Sequence, residues 1–152
     1  MAIGSVPELQ REFWSGFRTV VEDSDSPFVA TAALPQGWMN IAIGRSGIQL
    51  LASMRTTGWS TEDGGAEIRA EVHIQDNFAW FDQLAAHKAE IEAAYGGELQ
   101  WVKVEGTKST RIFINRAIDV TNRNTWPECY EWLVEHISRL KAAVGPWVGK
   151  LE

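Results

Sequence analysis

Ala66-Glu67-Ile68-Arg69-Ala70-Glu71-Val72-His73-Ile74-Gln75 alternates apolar and polar side chains along its whole length. A period of two puts Ile68, Ala70, Val72 and Ile74 on one face of a strand and Glu67, Arg69, Glu71, His73 and Gln75 on the other. One oily face and one wet face mark a strand of an antiparallel sheet rather than of a parallel sheet covered on both sides.

The neighbouring stretches supply partners for it. Trp38–Gly44 and Ile48–Thr57 read as two further strands, joined by the short turn Gly44-Arg45-Ser46-Gly47; the longer polar link from Gly58 to Gly65 leads into Ala66–Gln75. Beyond the third strand a helix is expected from about Asn77 to Tyr95, capped by Asp76 or Asn77. Its apolar stripe is Phe78, Phe81, Leu84, Ala85, Ile91 and Tyr95, and it is stopped by Gly96-Gly97. Two more strands follow, Glu98–Glu105 and Thr110–Arg116, around Gly106-Thr107-Lys108-Ser109.

Helices flank this central region. Ser5-Val6-Pro7-Glu8 is a capping box with proline in the first turn, followed by Leu9, Phe13, Phe17 and Val20 at helical spacing, with Trp14 and Val21 widening the stripe to Glu22–Asp23. Thr125-Trp126-Pro127-Glu128 opens a last helix that carries Tyr130, Leu133, Val134, Ile137, Leu140 and Val144 inward and closes at Gly145-Pro146. The predicted order is α-β-β-β-α-β-β-α: an α+β fold with a mainly antiparallel sheet of about five strands and three helices on one face. One domain over 1–152, with its core over about 5–147, fits the length of 152 residues.

Composition narrows the function classes. The chain is 45% apolar and carries 20 acidic against 14 Lys and Arg side chains, a net charge of −6. That excludes wholesale disorder and argues against non-specific duplex binding, which needs a basic footprint. No run of apolar residues is long enough to span a bilayer, so no membrane partner is expected. Met1–Ser5 has no basic or apolar leader and Cys129 is the single cysteine, so a cytoplasmic location is expected. Leu151-Glu152 reads as an expression scar and carries no functional weight.

Familiar catalytic patterns are missing. A restriction-type nuclease centre needs an acid-x-Lys triplet beside a second acid; Glu98 with Lys103 and Glu67 with Arg69 lack that spacing. His73, His87 and His136 lie on separate elements with no paired zinc motif, and His87 with Glu90 reads as a surface pair. Cys129, at a helix start that would lower its thiol pKa, has no histidine in reach and reads as a packing residue. Ser46 lies in a strand-to-strand turn, the wrong setting for a nucleophile elbow, and no glycine-rich phosphate loop occurs. No cofactor and no metal are expected.

Eight tryptophans are the unusual feature. With the β-branched sets facing the helices, Trp101, Lys103, Arg111 and Phe113 share the sheet's second face with Arg55, Arg69 and His73. A surface of rings and arginines suits base stacking or the docking of a protein. The competing expectation is that a second copy of the chain, or the loop 24–37, covers that face.

Gln10-Arg11-Glu12-Phe13-Trp14, Trp38, Ile43-Gly44-Arg45-Ser46-Gly47-Ile48-Gln49-Leu50, Phe81-Asp82-Gln83-Leu84, Trp126-Pro127 and Trp132-Leu133 together resemble a bacterial and archaeal family of domains of unknown function, DUF family 4268. The resemblance runs from about residue 8 to 145. It implies an accessory role near DNA processing or defence, since many members are fused to restriction-endonuclease-like domains. Packing and turn geometry account for most of these residues, but not for Arg45, which is expected either to grip a phosphate or carboxylate or to pair with the helix bearing Glu8 and Glu12. Two functions stay open. The first is a non-catalytic interaction module, self-associating or docking a nuclease, another DNA-processing protein or nucleic acid through the sheet face or the 44–47 turn. The second is a small enzyme with a site near Arg45, Glu71 and His73.

Overall fold

The computed structural model describes residues 5–56, 66–103 and 109–152. Trp59, the link from Gly58 to Gly65, Val104-Glu105 and most of the Gly106–Ser109 turn fall outside them. The chain runs α1 (Val6–Asp23), β1 (Trp38–Ala42), β2 (Ile48–Arg55), β3 (Glu67–Ile74), α2 (Phe78–Ala85), α3 (Lys88–Tyr95), β4 (Gln100–Lys103), β5 (Thr110–Ala117), a 3-10 turn (Arg123–Thr125) and α4 (Trp126–Val148). The five strands form one antiparallel sheet in the order β1-β2-β3-β5-β4, so the alternating strand β3 is its centre. The class is α+β, as expected.

Helix α1 forms where its cap predicts. Ser5 Oγ accepts the amide hydrogen of Glu8, and Leu9, Phe13, Trp14, Phe17 and Val21 are buried along one stripe. Phe13 joins the two helices: it meets its α1 neighbour Trp14 (4.9 Å) and Trp126 of α4 (5.3 Å) edge to face, and Tyr130 of α4 (5.0 Å) at a tilt. Each such ring contributes about 1.5–3 kcal/mol by leaving water. Helix α4 lies on β3 and β2, where Leu50, Ala52, Ile68, Ala70 and Val72 are fully covered.

Three boundaries differ from expectation. The helix over Asn77–Tyr95 is two helices, because at His87 the amide bonds back three residues to Leu84 (2.9 Å) in a tight turn whose imidazole stacks on Trp147 (3.9 Å). Thr125 does not cap α4 with its side chain. Its hydroxyl turns back to donate to the carbonyls of Asp119 and Asn122, and Glu128 pairs with Arg116 at 3.0 Å. Gly145-Pro146 does not end α4, which continues to Val148. A proline near a helix end removes one donor while keeping helical φ, and the carbonyl it strands belongs to the exposed Ala142.

The turn between β1 and β2 fixes the end of α4. Gly44 and Gly47 hold φ of 98° and 87°, a left-handed backbone that a side chain would strain. Strand β1 is an edge whose outward carbonyls are met by its own approach segment: Gln36 Nε2 donates to Trp38 O and Thr31 Oγ1 to Asn40 O, both at 3.0 Å.

Candidate functional site

Strand register lays out the sheet's second face in rows. Trp38, Ser53, Arg69 and Asn115 form one row across β1, β2, β3 and β5. Asn40, Leu51, Glu71, Phe113 and Gln100 form the next, and Ala42, Gln49, His73, Arg111 and Val102 the third. Arg55 and Glu67 face each other at one end. Of the residues expected on this face, Arg55, Arg69, His73, Arg111 and Phe113 are therefore there.

Trp101 and Lys103 are not. Trp101 pairs with Ile112 and so points to the helix side. There its ring meets Phe81 at 6.0 Å, and its Nε1 donates to Glu92 Oε2 at 3.3 Å. Lys103 Nζ lies 2.9 Å from Asp82 Oδ1 on α2. The β-branched rule set the phase of this four-residue edge strand one position off; the large ring takes the inner place, and Val102 is exposed on the second face.

The polar face of β3 is not wet. Glu67 is 0% exposed, and the side chains of Arg69 and Glu71 are 5% and 3% exposed. Side chains at the middle of a five-stranded sheet are hemmed in by both neighbouring strands, and charges held there must be paired. Arg69 Nη2 lies 3.8 Å from Glu67 Oε2 and Nη1 lies 3.5 Å from Glu71 Oε1, while its guanidinium plane covers Phe113 at 3.9 Å. Glu71 Oε2 also lies 3.5 Å from His73 Nδ1 and 3.9 Å from Arg111 Nε. Asn115 donates to Glu67 Oε2 at 3.1 Å and accepts from Gln100. Burial lowers the Arg69 pKa, against the pull of Glu71 and Glu67; Arg55 is lowered too, by burial first, opposed by Glu67 and reinforced by Arg111. Both stay charged at neutral pH.

Over this network opens a concavity of about 590 Å³, lined by Trp38 and Arg111, by Arg55, Arg69, Glu71 and His73, and by the smaller floor residues Leu51 and Ser53. That volume lies in the range of small-molecule sites, roughly 300–1,000 Å³. Among the described residues three guanidiniums and one carboxylate line it; Glu71 and Arg69 are both sheltered, whereas Arg55 is exposed, Arg111 is 37% exposed and Trp38 47%. Trp38 was not among the expected site residues, although the inward Met39 and Ile41 fix its phase. Gln10, Asn40 and Gln49 join the lining without a comparable sequence signal.

Arg45 takes neither of its expected partners. Nη1 donates to Val148 O (3.0 Å) and Leu151 O (2.7 Å), and the guanidinium lies over Trp80 at 4.4 Å. It closes the C-terminal end of α4 on the helix side, apart from Glu71 and His73. Cys129 is buried and its thiol pKa is raised by that burial, not lowered. Among the described residues no group of three His, Cys, Asp or Glu side chains could hold a metal ion, and no helix is long and apolar enough to cross a membrane.

The family described as Domain of unknown function (DUF4268) matches residues 9–148 of the chain. No curated protein and no solved structure matches it.

Proposed function

The chain belongs to the DUF4268 family, whose description assigns no activity, and from the geometry we propose a recognition module that takes an anionic group of its partner into the sheet-face concavity. One observation carries this reading: the charges at the mouth are the guanidiniums of Arg55 and Arg111, while Glu71 lies beneath them with Arg69, already shared among Arg69, His73 and Arg111. An approaching anion meets forked donors held in place by a buried network, which lowers the ordering cost of binding. An accessory role beside a DNA-processing protein is part of this proposal, because phosphate groups are the anions of the nucleic acid that such a partner handles.

Titration with inorganic phosphate, followed by amide and guanidinium NMR shifts, tests it. The expected result is saturable, salt-sensitive shifts around Arg55, Arg111 and His73 that weaken by about tenfold or more in an Arg55→Ala/Arg111→Ala double variant. Absence of any shift at high millimolar phosphate overturns it. Mobility shifts at low salt with single-stranded and duplex DNA test the nucleic-acid setting.

A second reading, that the concavity is catalytic, is favoured by the Glu71–His73 pair at 3.5 Å, an orienting carboxylate beside an imidazole in a cleft. It requires turnover of a simple phosphoester that is lost in His73→Gln while phosphate binding persists. A wild-type protein that binds phosphate without any turnover leaves the recognition module alone.

A further inference from the structure

The concavity has a second chemical feature besides its cations. Trp38 stands at its rim with 47% of its surface open, on the same face and in the same row as Arg69, with Ser53 between them. Two strand steps place these residues about 10 Å apart, and Arg55 is the diagonal neighbour of Trp38 on β2, about 8 Å away. The residue between Trp38 and Arg69 is a serine, small and 5% exposed, so the floor there is low; Arg69 is buried in that floor, and the exposed Arg55 stands beside it on β2. Leu51 continues that floor toward Glu71.

Exposed tryptophans on a protein surface usually pack one side of the indole against a neighbour and cost solvent order on the other. Here the open side adjoins a cationic trough instead of an apolar patch. A ligand that is only an anion would leave the indole unused, and one that is only a ring would leave the guanidiniums unused. A flat ring joined to an anionic group by a short polar spacer satisfies both at once: the ring stacks on Trp38, the spacer crosses Ser53, and the anion reaches Arg55. Resting on the anion-binding reading above, we infer that the occupant is a nucleotide, with its base on Trp38 and its phosphate at Arg55.

Two sources carry that chemistry, a free mononucleotide and the end of a single strand, and the probes separate them. The full chain is titrated with AMP, adenosine, ribose 5-phosphate and inorganic phosphate, and with a short single-stranded oligodeoxynucleotide, following the backbone amide shifts of β1 and β2, which every variant retains. AMP is expected to bind about tenfold or more tighter than ribose 5-phosphate. Trp38→Ala abolishes that advantage while leaving ribose 5-phosphate binding unchanged. Arg55→Ala weakens AMP and ribose 5-phosphate together and leaves adenosine unaffected. An oligonucleotide that binds tighter than AMP, and still depends on Trp38, supports the inference with a strand end as the source; AMP binding that an added strand does not improve supports it with the free nucleotide.

Equal affinity for AMP and ribose 5-phosphate, or full AMP affinity in a folded Trp38→Ala protein, overturns the inference while anion recognition stands. Failure of inorganic phosphate and every other probe to bind overturns both. Trp38→Leu, which keeps apolar bulk at the rim without a ring, serves as the variant if Trp38→Ala fails to fold: loss of the AMP advantage over ribose 5-phosphate supports stacking, and an unchanged AMP affinity opposes it.

Discussion

Arg45 donates to the carbonyl of Leu151 at 2.7 Å, joining the β1–β2 turn to the end of α4 across 106 positions of sequence. The same nitrogen holds Val148 O, so one guanidinium ties both the last residue of α4 and the segment just beyond it to the turn. This makes Arg45 a fastener of the fold. Arg45→Ala is expected to lower stability by about 1–2 kcal/mol, because charge-assisted hydrogen bonds that are only partly buried are lost. Urea denaturation measures it; an unchanged midpoint together with lost phosphate binding would return Arg45 to the binding site.

Glu71 balances the central charges. Removing it by Glu71→Ala leaves Arg69 facing Glu67 alone and Arg111 without its carboxylate, and the expected loss is about 3–5 kcal/mol. Replacing Glu71 and Arg69 together by apolar residues of similar size costs much less than the sum of the single changes. A double-mutant cycle by chemical denaturation checks this, and additivity of the two losses would contradict the pairing.

Gly16 on α1 meets Tyr130 on α4. A methyl group added at Gly16 would come 2.4 Å from Tyr130 Oη, so Gly16→Ala is expected to cost about 1–3 kcal/mol by overpacking. That hydroxyl is buried and has no hydrogen-bond partner among the described residues. Tyr130→Phe is therefore expected to be neutral or stabilising on its own and to recover part of the Gly16→Ala loss. Thermal unfolding of the two single variants and the double variant decides it.

Stability should also fall on the acid side. Burial, followed by the charge of Arg139, lowers the pKa of His136, whose Nδ1 lies 2.6 Å from Tyr95 Oη. The unfolded chain takes up this proton near the ordinary value of 6.5 while the folded chain still resists it. The contribution is thus fully present above pH 6.5 and is lost as the pH falls through the lower folded pKa. In His136→Gln the decline of stability below pH 6.5 is expected to be shallower; an identical slope would remove His136 from the account. At the alkaline end burial raises the pKa of Tyr95 and Tyr130, so both add a loss as the pH climbs past 10.

Much of this architecture is legible in the chain. The capping box and ring spacing of α1 are local, and so is the alternation of β3, which is why both form where expected. The same alternation and hairpin order bring Arg55, Arg69, His73, Arg111 and Phe113 to one face. What escaped the sequence depends on distant partners. Arg45 reaches carbonyls over 100 residues away. The short edge strand β4 takes its phase from Phe81 and Glu92, not from its own pattern. The burial of Glu67, Arg69 and Glu71 follows from β3 lying at the centre of the sheet, which alternation alone does not state.

The approach segment to β1 has one further consequence. Gln36 and Thr31 occupy the outward carbonyls of Trp38 and Asn40, so an incoming extended peptide finds those acceptors taken. Lengthening the sheet on that side would first require evicting two side chains, and stacking of copies strand against strand is discouraged there without any charged guard residue.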